Sequence, residues 1–170
     1  MIKQSISIDE RKLVNIMERE GMNVVNIGED SFQYCNGYMV AICDYDMDIV
    51  IQKLFNIGAL TNYKNWTPKR TQDLTTAIDL SKEVDAEKTE FLHSYYCGAR
   101  MAYVFKIGDK YFYYDKRYVD VFKDATFKGV FDEDGDIPAL KIYNQNKFIG
   151  LILAVISPES TKTLLSILGK

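Results

Sequence analysis

Histidine is nearly missing from this chain, with His93 alone among 170 residues. A lone imidazole excludes metal centres built from several histidines and leaves one side chain of that type for acid–base work. Cysteine is scarce too, and Cys35, Cys43 and Cys97 form no C-x-x-C pair. An odd number without paired spacing reads as reduced thiols rather than a disulfide framework. Gly-rich phosphate loops and the G-x-S-x-G elbow are absent, so the sequence carries no cofactor-binding motif and points to no cofactor. The longest apolar run, Leu151 to Ile156, is far short of the ~20 residues that span a bilayer. Met1-Ile2-Lys3-Gln4-Ser5 holds no apolar signal core. The expectation is a soluble cytoplasmic protein with no membrane partner. A basic surplus is also lacking: 21 basic residues stand against 24 acidic ones, for a net charge of -3. That balance does not suit nonspecific grip on duplex DNA.

What is abundant is aromatic. Tyr 12, Phe 9 and Trp 1 favour half-buried pleated surfaces, and tyrosines also serve binding surfaces well. The length fits one domain, spanning residues 1–170. Charge is patchy. No acid lies between Asp48 and Asp73, where Lys53, Lys64, Lys69 and Arg70 fall, whereas Asp79 to Glu90 holds five acids and two lysines.

The chain also repeats a pattern. Cys35-Asn36-Gly37-Tyr38-Met39-Val40-Ala41-Ile42-Cys43-Asp44 reads as turn, apolar strand and acid, followed by Met47, Val50, Ile51, Leu54 and Phe55 at helical spacing. Gly108 to Asp115 repeats turn, strand and acid, and a second helix is predicted over Asp115 to Lys123. Asn36-Gly37 and Gly108-Asp109 each predict a two-residue hairpin. Ser7-Ile8-Asp9-Glu10 matches a capping box before Leu13, Ile16 and Met17, predicting a helix over about 7–20. Residues 58–72 read as a loop, Leu74 to Leu80 as a strand, Ser81 to Lys88 as a charged connection, and Phe91 to Cys97 as another strand. Thr126 to Phe131, Ala139 to Tyr143 and Phe148 to Ile156 complete the strands. Ser157-Pro158 starts a helix over about 158–168. The fold class is therefore α+β: two pseudo-symmetric antiparallel sheet-plus-helix halves, about 31–97 and 99–156, with a helix added at each end.

Tyr34-Cys35-Asn36-Gly37-Tyr38, Tyr118-Val119-Asp120-Val121-Phe122-Lys123-Asp124, Pro138-Ala139-Leu140-Lys141-Ile142-Tyr143 and Phe148-Ile149-Gly150-Leu151-Ile152-Leu153-Ala154-Val155 sit in an order that resembles one domain of the bacterial DNA sliding clamp. Small clamp-like proteins encoded by phages end similarly. The resemblance covers roughly residues 31–156 and implies two halves about a pseudo-two-fold axis. Clamp action on DNA does not transfer with it, because Asp44, Asp46 and Asp48 at the start of the first helix repel phosphate.

Two surfaces suggest contact with a partner. Tyr63, Lys64, Trp66, Lys69 and Arg70 interleave bases with aromatics in a loop, suited to stacking on bases or to anchoring in a protein groove. The plain alternative is a loop with Trp66 packed on the core. Asp44, Asp46 and Asp48, with Asp132, Glu133, Asp134 and Asp136 at a turn, could oppose a basic groove, or merely be solvated. Asp132 to Asp136 fails as a calcium loop, since Ile137 and Tyr143 fall where Gly and Glu are needed. His93, Tyr95 and Cys97 alternate on one predicted strand and would share a face, which raises a cysteine–histidine enzyme as a separate reading.

The sequence is thus read as a non-enzymatic binding protein of phage or mobile-element type, without catalytic residues or a bound metal. Its expected partner is a bacterial nucleic-acid-binding protein or nuclease, most concretely a defence nuclease inhibited in the manner of an anti-CRISPR protein. Direct nucleic-acid contact and a homodimer stay open. A clamp-like replication accessory factor is the alternative.

Overall fold

The computed structural model describes residues 7–20, 24–27, 31–44, 46–56, 83–131 and 138–156. Their elements are α1 (Glu10–Glu20), β1 (Val24–Ile27), β2 (Ser31–Cys35), β3 (Met39–Asp44), α2 (Asp48–Asn56), β4 (Glu83–Tyr95), β5 (Arg100–Ile107), β6 (Lys110–Asp115), α3 (Lys116–Val119), β7 (Thr126–Val130), β8 (Ala139–Asn144) and β9 (Lys147–Ile152). The strands form one sheet ordered β1-β2-β3-β9-β8-β7-β4-β5-β6, with every pairing antiparallel. This is an α+β fold.

Strand β4 corrects the sequence reading. Of the charged segment expected to be a connection, Glu83 to Lys88 form the first half of a 13-residue strand. Glu83 to Asp85 pair with β7, while Ala86 to Lys88 and Leu92 to Tyr95 pair with β5, the register shifting between Lys88 and Leu92. The charges do not oppose strand formation because they face outward and meet cross-strand partners. Asp85 lies opposite Lys128 and pairs with it. Glu83 accepts from Lys141 Nζ at 2.9 Å and from the Tyr143 hydroxyl, and these bonds, Tyr143 first, lower its pKa. Val84 and Ala86 alternate with the charges and pack against the core.

Both hairpins form, with one adjustment. Ile107 pairs with Lys110 around Gly108-Asp109, and Gly108 takes φ 60° at the first turn position. In the other, Asn36 N donates to Met39 O, so the central residues are Gly37 and Tyr38 rather than Asn36 and Gly37. Gly37 takes φ 91°, a conformation that glycine supplies without a Cβ penalty. Asn36 is instead buried, and its Oδ1 accepts from the backbone of Tyr38 and Met39, both at 2.9 Å.

The helices also depart in detail. Asp9, not Ser7, caps α1, its Oδ1 accepting from Lys12 N at 3.2 Å. Ser7 is used elsewhere: its carbonyl accepts from Lys123 N, while Ile8 bridges to Phe122. Glu10, in the first turn of α1, caps a different helix. Its Oε2 accepts from Ile49 N at 2.8 Å and Val50 N at 3.2 Å, at the start of α2. The second predicted helix shrinks to the single turn α3, because the chain after Asp120 must swing back to pair with Ile8. The last strand ends at Ile152 instead of Ile156. Leu153 N then donates to Tyr38 O and Val155 N to Tyr113 O, each at 2.8 Å. That tie brings the β2–β3 turn and β6, far apart in strand order, to one short segment, so the sheet is strongly curved.

Helix α1 is too short to persist alone; it is held by Leu13, Ile16 and Met17, all buried. Each such burial contributes about 2 kcal/mol. They join Phe32, Tyr34, Phe105, Tyr114, Tyr118, Leu140, Ile142 and Ile152 in the main core. Tyr95, Ala102, Val104 and Tyr113 form a smaller cluster with Val155. The predicted strand over 74–80 and the helix over 158–168 lie outside the described residues.

Gly150 marks the tightest contact between sheet and loop. A Cβ there would press on the Phe122 ring and lie 2.8 Å from the Val40 carbonyl oxygen. The ring can swing, but the neighbouring strand's backbone cannot. Gly150→Ala is therefore expected to cost about 2 kcal/mol, measured by urea unfolding; an unchanged midpoint would show that β3 yields freely.

Candidate functional site

The loop residues Tyr63, Lys64, Trp66, Lys69 and Arg70 lie outside the described residues, as do Asp132, Glu133, Asp134 and Asp136. The other acids stand at the β3–α2 corner. Asp46 and Asp48 are exposed, and Asp44 pairs with Lys147 at 3.1 Å. Met47 between them is buried, so the corner is anchored while its charges face solvent.

The shared strand face on which the cysteine–histidine reading rests does not form. Cys97 is not on the strand: β4 ends at Tyr95, and Cys97 lies in the turn to β5 with φ 53°. Cys97 is exposed, whereas His93 is 5% exposed and stacks on Tyr113 with ring centroids 4.6 Å apart. The strand alternation that would put both on one face stops before the thiol. His93 Nε2 is buried without a hydrogen-bond partner among the described residues.

The most connected polar group is Asp115, 2% exposed at the end of β6. It caps α3 by accepting from Arg117 N at 2.8 Å. Its carboxylate also takes Arg117 Nη2 at 2.6 Å and the Tyr95 hydroxyl at 2.5 Å. Arg117 Nη1 continues to Glu20 Oε1 at 2.7 Å. Glu20 Oε2 accepts in turn from the Tyr118 hydroxyl at 2.6 Å and from Asn36 Nδ2 at 2.7 Å. Five elements or turns thus meet through one chain of charge-assisted bonds. Burial alone would raise the Asp115 pKa, but the bonds from Arg117 and Tyr95 outweigh it and the net shift is downward. Burial, then the bond to Asp115, pushes the Tyr95 hydroxyl up to about 12.

Two surfaces border this network. The first is the outer face of the β4–β5 hairpin. His93 and Tyr95 point inward, so Leu92 and Ser94 point out, with Tyr103 opposite Leu92 and Met101 opposite Ser94. Phe91 is 51% exposed, Leu92 46%, Tyr96 72% and Met101 38%. The Arg100 guanidinium lies 5.4 Å from the Tyr96 ring centroid, and Lys88 lies 4.5 Å from that of Tyr103. The second surface is a cleft of about 210 Å³ lined by Lys12, Asn15, Ile16, Arg19, Arg117 and Asp120. Tyr103 joins the two, its hydroxyl donating to Asp120 Oδ1 at 2.8 Å. Sequence inspection passed over the hairpin face, since an alternating apolar strand looks the same whichever side is covered.

Comparison with known proteins leaves these features to speak for themselves: no protein family, curated protein or solved structure matches this chain. Among the described residues, no helix is long and apolar enough to cross a membrane.

Because the folded-state pKa of Asp115 is depressed, its contribution to stability is full above the unfolded value near 3.8 and fades as pH falls through the folded one. Asp115→Asn should cost about 2 kcal/mol at pH 7, discounted for the partial exposure of Arg117. In urea unfolding, the gap to wild type should narrow below about pH 4. A gap of constant size down to strongly acidic pH would mean that the charge is not what matters.

Proposed function

We propose that this chain is a binding protein that grips a protein partner through the outer face of the β4–β5 hairpin. The observation that carries the reading is that Leu92 and Met101 are exposed on one face of the hairpin, with Phe91 exposed at the adjoining register break and Tyr96, under the Arg100 guanidinium, exposed in the turn. Aromatics, methionine and arginine are the residues that interfaces concentrate, and Leu92 and Met101, held on paired strands, lose little freedom on docking. The buried Asp115 network ties down the turn end of this hairpin through Tyr95, which favours a preformed surface.

The class of partner rests on the resemblance to small phage-encoded, clamp-like proteins. On that basis the partner is a bacterial nucleic-acid-binding protein or nuclease that the chain inhibits or regulates, most concretely a defence nuclease inhibited as by an anti-CRISPR protein. The recurrence of a hairpin followed directly by a helix, at β2–β3–α2 and again at β5–β6–α3, supports reading the chain as two related clamp-like halves. In the alternative reading, a replication accessory factor, the same hairpin face would join copies of the chain around DNA.

Affinity capture from bacterial lysate, repeated with Leu92→Ala and Met101→Ala, tests this. Each substitution at an anchor should weaken capture of a nucleic-acid-processing protein by more than ~1 kcal/mol. Recovery that is unaffected by both would move the interface off the hairpin. A wild-type protein that assembles into closed oligomers on DNA would favour the accessory-factor reading instead.

A further inference from the structure

The cleft between α1 and α3 has a chemistry of its own. Lys12, Asn15, Ile16 and Arg19 recur at helical spacing and form one stripe of α1. Arg117 and Asp120, from α3 and its end, complete the lining. The groups on this wall are overwhelmingly hydrogen-bond donors: an ammonium, a carboxamide and two guanidinium groups. The one carboxylate, Asp120, already accepts from the Tyr103 hydroxyl and pairs with Lys116.

The two arginines differ in a useful way. Arg117 is fixed, with Nε and Nη2 on Asp115 and Nη1 on Glu20. Each Nη carries two hydrogens, so one on each remains after these bonds. Arg19 makes no hydrogen bond or ion pair among the described residues and is exposed. Lys12 Nζ reaches the Asp120 carbonyl at 3.3 Å and lies 3.8 Å from Asp9 Oδ2, leaving it donors to spare. Ile16, buried, contributes apolar surface to the same cleft.

From this juxtaposition we infer that the α1–α3 cleft is a binding site for a phosphate group. A carboxylate offers two oxygens and one charge, fewer than four donor groups can use. A phosphate monoester offers three oxygens and close to two charges, and guanidinium groups match its geometry. Because Arg117 faces two carboxylates, the field in the cleft is only weakly positive. Recognition therefore depends on donor placement, and binding is expected to be weak and strongest at low salt. The site is separate from the hairpin face, and its occupancy does not require the protein partner proposed above.

The full chain, titrated at low ionic strength with inorganic phosphate and separately with a nucleoside 5′-monophosphate, tests the site by amide NMR shifts. Saturable shifts in Lys12, Asn15 and Arg19 are expected with at least one probe. Saturation by both at similar concentrations identifies phosphate itself as the ligand, and saturation by the nucleotide alone assigns a larger phosphorylated compound. Arg19→Glu and Lys12→Glu, both at exposed positions, should weaken binding by about tenfold or more. Lys110→Glu, on the far turn of β6, makes the same change in net charge and should leave affinity within about twofold. Arg19→Gln removes the cation without adding an acid and should also weaken binding if Arg19→Glu perturbs α1. Failure of both probes to saturate, or equal loss in all three charge reversals, would overturn the site.

Discussion

A carboxylate withdrawn from water must be met by cations and donors, and Asp115 is met by Arg117 and Tyr95. Much of the structure follows from that requirement. Tyr95 ends β4, Asp115 ends β6, and Arg117 lies in α3, so the bond holds the β4–β5 hairpin to its neighbours beside its turn. Arg117 then needs a second anion, which comes from Glu20 at the end of α1. Glu20 in turn gathers Tyr118 and the buried Asn36 at the β2–β3 turn. Remove the first link and charges at several elements lose their partners together. Networks of this kind specify one arrangement more sharply than apolar contacts, which can slide.

The same network explains where the molecule can afford exposed surface. The curved sheet buries its main core beneath α1 and uses a second small cluster, sealed by Val155, on the other side of β5 and β6. At the turn end of the β4–β5 hairpin, Tyr95 and Ala102 belong to the small cluster, while alternation leaves Leu92 and Met101 exposed on the opposite face beside the half-buried Tyr103. The cleft lies beside it, across the Tyr103–Asp120 bond. One rigid corner therefore presents an apolar face and a donor-lined recess, two different kinds of contact on adjacent ground.

The local features that sequence inspection captured are those with a short-range cause. Gly108 sits at the turn position that demands positive φ, and the hairpin around it forms as read. Leu13, Ile16 and Met17 are buried at helical spacing. The failures have long-range causes. Glu83 to Lys88 reads as a solvated connection until Lys128, Lys141 and Tyr143 arrive from distant strands. Ser7 looks like a cap until its carbonyl is taken by Lys123. Asn36 looks like a turn centre until Glu20 draws it inward. For the candidate site the gap is wider. Composition drew attention to Tyr63 to Arg70, outside the described residues, whereas the hairpin face and the cleft come from pairings that composition does not contain.

What the chain determined on its own was its alphabet of pieces: turns where glycine relaxes the backbone, strands and helices where apolar spacing repeats, and no constellation that announces catalysis. These depend on interactions between residues a few positions apart. Only the tertiary structure decided which side of β4 would be wet, which carboxylate would be buried, and which helix Glu10 would cap. Those outcomes hang on partners 40 to about 100 residues away, and the energy of such contacts exists only once the sheet has brought them together.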